Sequence, residues 1–225
     1  MLIRAVGIDA AFANMGFAQV EIDGAGRVDC LGLYLVTTEA IEDRKVVRKS
    51  STELRRAQEL CKALAQHTID RGAQFAFVEV PSGSQSASAA RALGIAVGVL
   101  GSCQVPIIEV SPMEVKRIIN PDRKVKVSKL DVIKWAMQKW PQAPWILHRN
   151  SGKTFKKGEP QNCNEHLADA MATVMAGIAT PEFQRLMTLM APHATTSPTH
   201  FRPTPDFGAQ HRIPVGRVRL VDHSL

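Results

Sequence analysis

The sequence predicts an α/β fold with a mixed central sheet covered on both faces by helices. Three observations carry this. The chain opens on three apolar runs of strand length separated by hairpin signals. From residue 50 onward, segments of helical period alternate with short apolar runs ending at acids or prolines. The 225 residues are 45% hydrophobic, enough to bury a core without disulfide or metal staples.

Taken in order, Ile3–Asp9 reads as a buried strand ending in an acid. Residues 16–23 alternate apolar and polar, Asp23-Gly24 signals a hairpin, and Val28–Thr37 reads as a third strand. Between Ser51 and Asp70, Leu54, Ala57, Leu60, Cys61, Leu64 and Ala65 recur at helical spacing, with Ser51-Thr52-Glu53 as capping residues. Gln74–Val80 is a short apolar run broken by Pro81, hence a strand ending near Glu79. Ser82–Ser86 reads as a loop and Ala87–Gly101 as a helix of small residues. Val105–Val110 reads as a further strand, after which Ser111-Pro112 opens a helix. Val127–Trp140 is a basic amphipathic helix, Pro141–Asn164 a loop, Glu165–Thr180 a core helix and Pro181–Met190 a shorter one. The domain is expected to span 1–190, followed by a Pro/His-rich tail, 191–225, extended or disordered.

No run approaches 18 apolar residues, which excludes a membrane-spanning helix, and Asp9 interrupts the N-terminal apolar stretch where a signal peptide would continue. Cys30, Cys61, Cys103 and Cys163 form no C-x-x-C pair and read as reduced thiols, so a cytoplasmic protein is expected, in a bacterial cell or a phage-infected host. The net charge of +7 is concentrated. Residues 116–157 carry twelve Lys or Arg against Asp122 and Asp131, a net +10 that leaves the rest of the chain at −3. Such asymmetry points to a polyanionic partner, most economically nucleic acid; the other reading is a solvated face that aids solubility. Lys116, Arg123, Lys124, Lys126, Lys129, Lys153, Lys156 and Lys157 are the candidate contacts.

Three acids stand where chemistry is expected. Asp9 and Glu79 end strands, and Asp169 lies in a helix among Leu167, Ala168, Ala170, Met171 and Ala172. Strand ends on one sheet edge are where open α/β folds place their sites. Converging carboxylates repel unless a cation joins them, and oxygen ligands suit Mg²⁺, with Mn²⁺ able to substitute. Two such ions support phosphodiester hydrolysis. From position alone, each acid reads equally as a lone cap or surface residue.

The motifs resemble those of RuvC-type Holliday junction resolvases, members of the ribonuclease H-like nucleases. Gly7-Ile8-Asp9 with Asn14-x-Gly16 is similar to that family's opening. Phe77-Val78-Glu79 is similar to its second motif, followed by Ala89, Ala92-Leu93-Gly94 and Ala96-x-Gly98. Ser111-Pro112-x-x-Val115-Lys116 and Lys129-x-x-Val132 resemble later segments, and His166-Leu167-Ala168-Asp169-Ala170-Met171-Ala172 the closing one. The matches are collinear from residue 3 to about 179, roughly four-fifths of the chain. The resemblance implies a ribonuclease H-like fold and Mg²⁺-dependent cutting of four-way junctions by paired nicks, with two ions per site. It also implies a two-fold homodimer on branched DNA. Asp9, Glu79, His166 and Asp169 would be metal ligands, and Lys116 and Lys129 phosphate contacts, Lys129 at the cut itself. His166 stands at a position that is Asp in many members; there an imidazole ligates metal or orients water, unless it simply packs beside the helix. Glu165 is rotated about 100° from His166 and reads as a rim residue.

Over Ser82–Ser88 the sequence departs from bacterial relatives, which carry an aromatic wedge there. The loop 141–164, with Trp145, Arg149, Phe155 and its lysines, supplies stacking and phosphate contacts instead or is a plain surface insertion. Three alternatives are an actin-like ATPase, for which the chain is short, a fork or flap endonuclease of broad specificity, and a silent branched-DNA-binding module.

Overall fold

The computed structural model describes residues 1–39, 48–83, 86–121 and 127–190. The expected tail, 191–225, lies outside the described residues, as do Arg123, Lys124 and Lys126. Five strands, β1 (Leu2–Asp9), β2 (Asn14–Asp23), β3 (Val28–Thr37), β4 (Phe75–Glu79) and β5 (Ile107–Val110), form one sheet in the order β3-β2-β1-β4-β5. β1, β2 and β3 pair antiparallel as a meander, whereas β1–β4 and β4–β5 are parallel. The sheet is mixed, as the sequence predicts. Its helices are α1 (Lys49–His67), α2 (Ala87–Leu100), α3 (Pro112–Ile119), α4 (Lys129–Lys139), α5 (Asn164–Ile178) and α6 (Pro181–Met190).

Strand alternation decides which helix each residue meets. Ile3 and Ala5 of β1, Phe75 and Phe77 of β4 and Ile108 of β5 face α5, with α4 and α6 packed on the same side. Val6, Ile8, Ala76 and Val78 face the other way, onto Leu60 and Leu64 of α1 and Val99 and Leu100 of α2. Helices therefore cover both faces. By the same alternation, Asp9 and Glu79 fall on the α5 side, at the strand ends.

α5 is the central helix; ten of its fifteen residues are buried. It lies closer to the sheet than side chains normally permit. A Cβ on Gly7 would stand 2.1 Å from the Ala170 carbonyl oxygen, and one on Gly16 would stand 2.3 Å from that of His166. These two glycines bring the helix down onto β1 and β2 at the positions carrying His166 and Asp169.

Side-chain caps account for the starts of α2, α3 and α4. Ser111 and Ser128 each form a capping box, with Glu114 and Asp131. Ser86 caps α2 by accepting from the Ala89 amide. The expected Ser51-Thr52-Glu53 cap is not used. α1 begins two residues earlier, at Lys49, without a side-chain cap, and Thr52 is buried within it. Trp145 is a second correction. It is 9% exposed, and its indole N–H donates to the Trp140 carbonyl at 2.9 Å, so it belongs to the core and is not open to a base. A buried indole needs an acceptor, and the end of α4 supplies one.

Candidate active site

The C-terminal ends of the parallel pair β1 and β4 put Asp9 and Glu79 in direct register as neighbours. α5 runs over them, and Asp169 reaches the same place from its second turn. The three carboxylates, with Lys116 of α3, line a cleft of about 700 Å³ walled by Pro112, Val115 and Val132. The electrostatics reflect this crowding. Burial, then repulsion from Asp9, Glu165 and Glu79, pushes the Asp169 carboxyl up to about 7. Glu79 is likewise held above its ordinary value by burial and Asp9, with Lys116 opposing.

His166 and Asp169 are three apart on α5 and share a face. The imidazole is three-quarters or more buried and lies across Asp9, Nδ1 to Oδ2 at 2.7 Å, donating to the carboxylate. That hydrogen bond raises the His166 pKa against the effect of burial. The other nitrogen, Nε2, is 3.7 Å from a Glu165 oxygen.

Glu165 is the residue that sequence reasoning undervalued. Its side chain is only 20% exposed and holds the Lys129 ammonium of the neighbouring helix α4, Nζ to Oε2 at 2.8 Å and to Oε1 at 2.9 Å. The signal was present in the spacing. Glu165 and Asp169 are four apart and His166 and Asp169 three apart, so Asp169 neighbours both, although Glu165 and His166 are themselves about 100° apart. Lys129 feels Asp169 and Asp9 as well as Glu165, which together raise its pKa.

The structure thus brings together six of the sequence's candidates: Asp9, Glu79, His166, Asp169, Lys116 and Lys129. Lys153, Lys156 and Lys157 lie elsewhere, exposed at the tip of an irregular hairpin closed by the Leu147–Pro160 bridge. Within it the His148 and Phe155 rings stack at 3.7 Å. Its base is tied to the first residue of α5. The Asn164 amide accepts from the Ile146 N–H at 2.9 Å and donates to the Ile146 carbonyl at 2.6 Å.

Among the described residues, no three His, Cys, Asp or Glu side chains are already closed into an ion-binding cluster. The donor chemistry nevertheless fits a hard divalent cation. Asp9, Glu79 and Asp169 offer carboxylate oxygens to one cleft, and the proton held by Asp169 near neutrality is what a nearby cation would displace.

No protein-family model matches the sequence, and no curated protein matches it. Solved structures do. Thermus thermophilus RuvC in complex with a Holliday junction substrate superposes with a TM-score of 0.52 at 19% identity, over 78% of this chain and 92% of that one. A further T. thermophilus RuvC structure gives 0.52 at 20% identity with the same coverage. The chain has the RuvC fold. The mixed five-stranded sheet and its helices match the ribonuclease H-like architecture of these neighbours.

Proposed function

We propose that this chain is a divalent-cation-dependent endonuclease that resolves four-way DNA junctions by paired nicks, acting as a two-fold dimer. One observation carries the reading: three carboxylates and a histidine from β1, β4 and α5 meet at the strand ends of a RuvC fold, beside two lysines. T. thermophilus RuvC, which shares this fold, has been solved with a Holliday junction substrate.

Asp9, Glu79 and Asp169, with His166 as a further donor, would hold the cations, Mg²⁺ or Mn²⁺. Bound there, two divalent ions supply charge neutralisation and Lewis acidity for phosphodiester hydrolysis. The protein's own groups do the rest. Asp9 fixes the His166 ring through Nδ1, so its one free nitrogen, Nε2, would either ligate a cation or orient the attacking water. Lys116, in the cleft wall, and Lys129, paired to Glu165 beside His166, bring positive charge to the acids and contact the backbone phosphates, which need not be read for sequence. The exposed lysines of the hairpin, Lys153, Lys156 and Lys157, bind the duplex arm by charge alone.

Paired nicks on opposed strands require two sites related by a dyad, the symmetry of the junction itself. The exposed face of α2 suits a copy of the chain: Ala90, Gly94, Val97 and Gly98 are uncovered among the described residues. A second reading, a branched-DNA endonuclease of broad specificity, is favoured by the segment after β4. Pro81, Ser82, Gly83 and Ser86 put no aromatic side chain near the site.

The test is cleavage of a four-way junction with Mg²⁺ and with chelator, by the wild type, Asp9→Asn and Glu79→Gln. Loss of cutting in both variants, with junction binding retained, is expected. Either variant cutting at the wild-type rate would remove that residue from the site. Light scattering at the monomer mass of 24.6 kDa, free and on a junction, would contradict the dimer.

A further inference from the structure

The Lys129–Glu165 pair bridges α4 and α5 beside His166, whose ring bonds Asp9, and both of its ends are fixed by their surroundings. The Ser128 capping box sets the first turn of α4. The Asp131 carboxylate accepts from the Ser128 N–H at 2.9 Å and from its hydroxyl at 2.6 Å. On the other side, Asn164, one residue before Glu165, is locked to both backbone groups of Ile146. The carboxylate is mostly sheltered and the ammonium is not; Lys129 is 80% exposed.

We propose that Glu165 is a positioning residue for Lys129: its carboxylate holds the Lys129 ammonium beside His166 and the acids, aimed at the phosphodiester being cut. The inference rests on the nuclease reading above and adds to it a residue with no role there. A lysine on its four-carbon stem is a mobile point charge with many rotamers. Pairing with Glu165 restricts that mobility without withdrawing the charge from solvent. The ammonium has three donors, and two carboxylate oxygens engage at most two of them, so at least one remains for a phosphate oxygen. Its place is also right: the carboxylate that holds it stands 3.7 Å from His166 Nε2, and the His166 ring bonds Asp9. The competing role for Glu165 is a direct one, since its carboxylate also faces His166. A carboxylate there could act on the ions or the imidazole without Lys129.

A double-mutant cycle separates the two roles. Wild type, Glu165→Gln, Lys129→Ala and the double variant are compared in single-turnover cleavage of a four-way junction at saturating enzyme with Mg²⁺. Glu165→Gln is expected to slow the wild type by about 2–5-fold, the size an exposed ion pair supports. In the Lys129→Ala background it is expected to change nothing. Glu165→Asp, which keeps the charge, should retain most of the rate. Junction affinity in chelator should not weaken in Glu165→Gln, because a negative charge near phosphate has been removed, and its circular dichroism spectrum should stay that of the folded wild type. Equal slowing in both backgrounds would overturn the proposal and give Glu165 a direct role. Glu165→Gln or Lys129→Ala cutting at the wild-type rate would overturn it as well. A wild type that leaves the junction intact would defeat the nuclease reading, and this inference with it, before any variant is compared.

Discussion

Asp169→Asn should abolish cutting and yet make the metal-free protein more stable. Asp169 is buried beside Asp9, Glu165 and Glu79, and its carboxyl is raised from the ordinary 3.8 to about 7. In the unfolded chain the same group loses its proton near its ordinary value. Between those values the folded state holds the proton and the unfolded state does not, so stability falls as pH rises from about 4 to about 7. Above that range the full cost is present. A shift of about 3 units at 1.36 kcal/mol per unit gives a cost of about 4 kcal/mol at pH 8 and about 2 kcal/mol at pH 5. An amide at this position carries no charge at either pH. Asp169→Asn in chelator should therefore melt higher than the wild type at pH 8, by roughly 5–15 °C for a domain of this size. The gap should narrow by about half at pH 5. Thermal melts by circular dichroism at pH 5, 6, 7 and 8 measure it. Added Mg²⁺ should raise the wild type at pH 8 and move the variant less, because the cation relieves the same repulsion and stabilises by mass action. A variant no more stable than wild type at pH 8, or a gap independent of pH, would refute the argument that Asp169 is a carboxylate held protonated by its neighbours.

Two further outcomes follow from the packing and the charge. Gly7→Ala puts a methyl into the Ala170 carbonyl, so it should destabilise by about 1–3 kcal/mol or more and reduce cutting by lifting α5 from the acids. Denaturant unfolding and cleavage rate, measured together, check both effects. Replacing Lys153, Lys156 and Lys157 together by Ala should make the slope of log affinity against log salt shallower by up to about 2–3 units, with the single-turnover rate nearly unchanged. An unchanged slope would leave the hairpin as ordinary solvated surface.

Much of this molecule was legible because its elements bury one face each. The meander, the β4 and β5 runs and α5 announce themselves by period, and Asp9 and Glu79 interrupt those periods at strand ends. What the chain does not spell out is pairing. Nothing in either segment reveals that Asp9 and Glu79 stand in register on parallel neighbours, or that Gly7 and Gly16 mark where α5 touches the sheet. Trp145 misled because an aromatic in a basic loop reads as a stacking platform, while its acceptor, the Trp140 carbonyl, is set by how the loop folds back onto α4. Glu165 was underrated for a similar reason. Its partner, Lys129, is 36 residues away on another helix, and only packing of α4 against α5 brings the two together.

The central claim is that this fold and this site cut branched DNA at a dyad. The most direct measurement is a cleavage panel with Mg²⁺ in which a four-way junction, a replication fork, a 5′-flap and a linear duplex are compared at equal concentration and the cut positions mapped on every strand. The account expects symmetric paired nicks on opposed strands of the junction, and none on any substrate when Asp169 is changed to Asn. Equal cutting of forks and flaps would select the broader nuclease, and a junction left intact by the wild type would contradict the account.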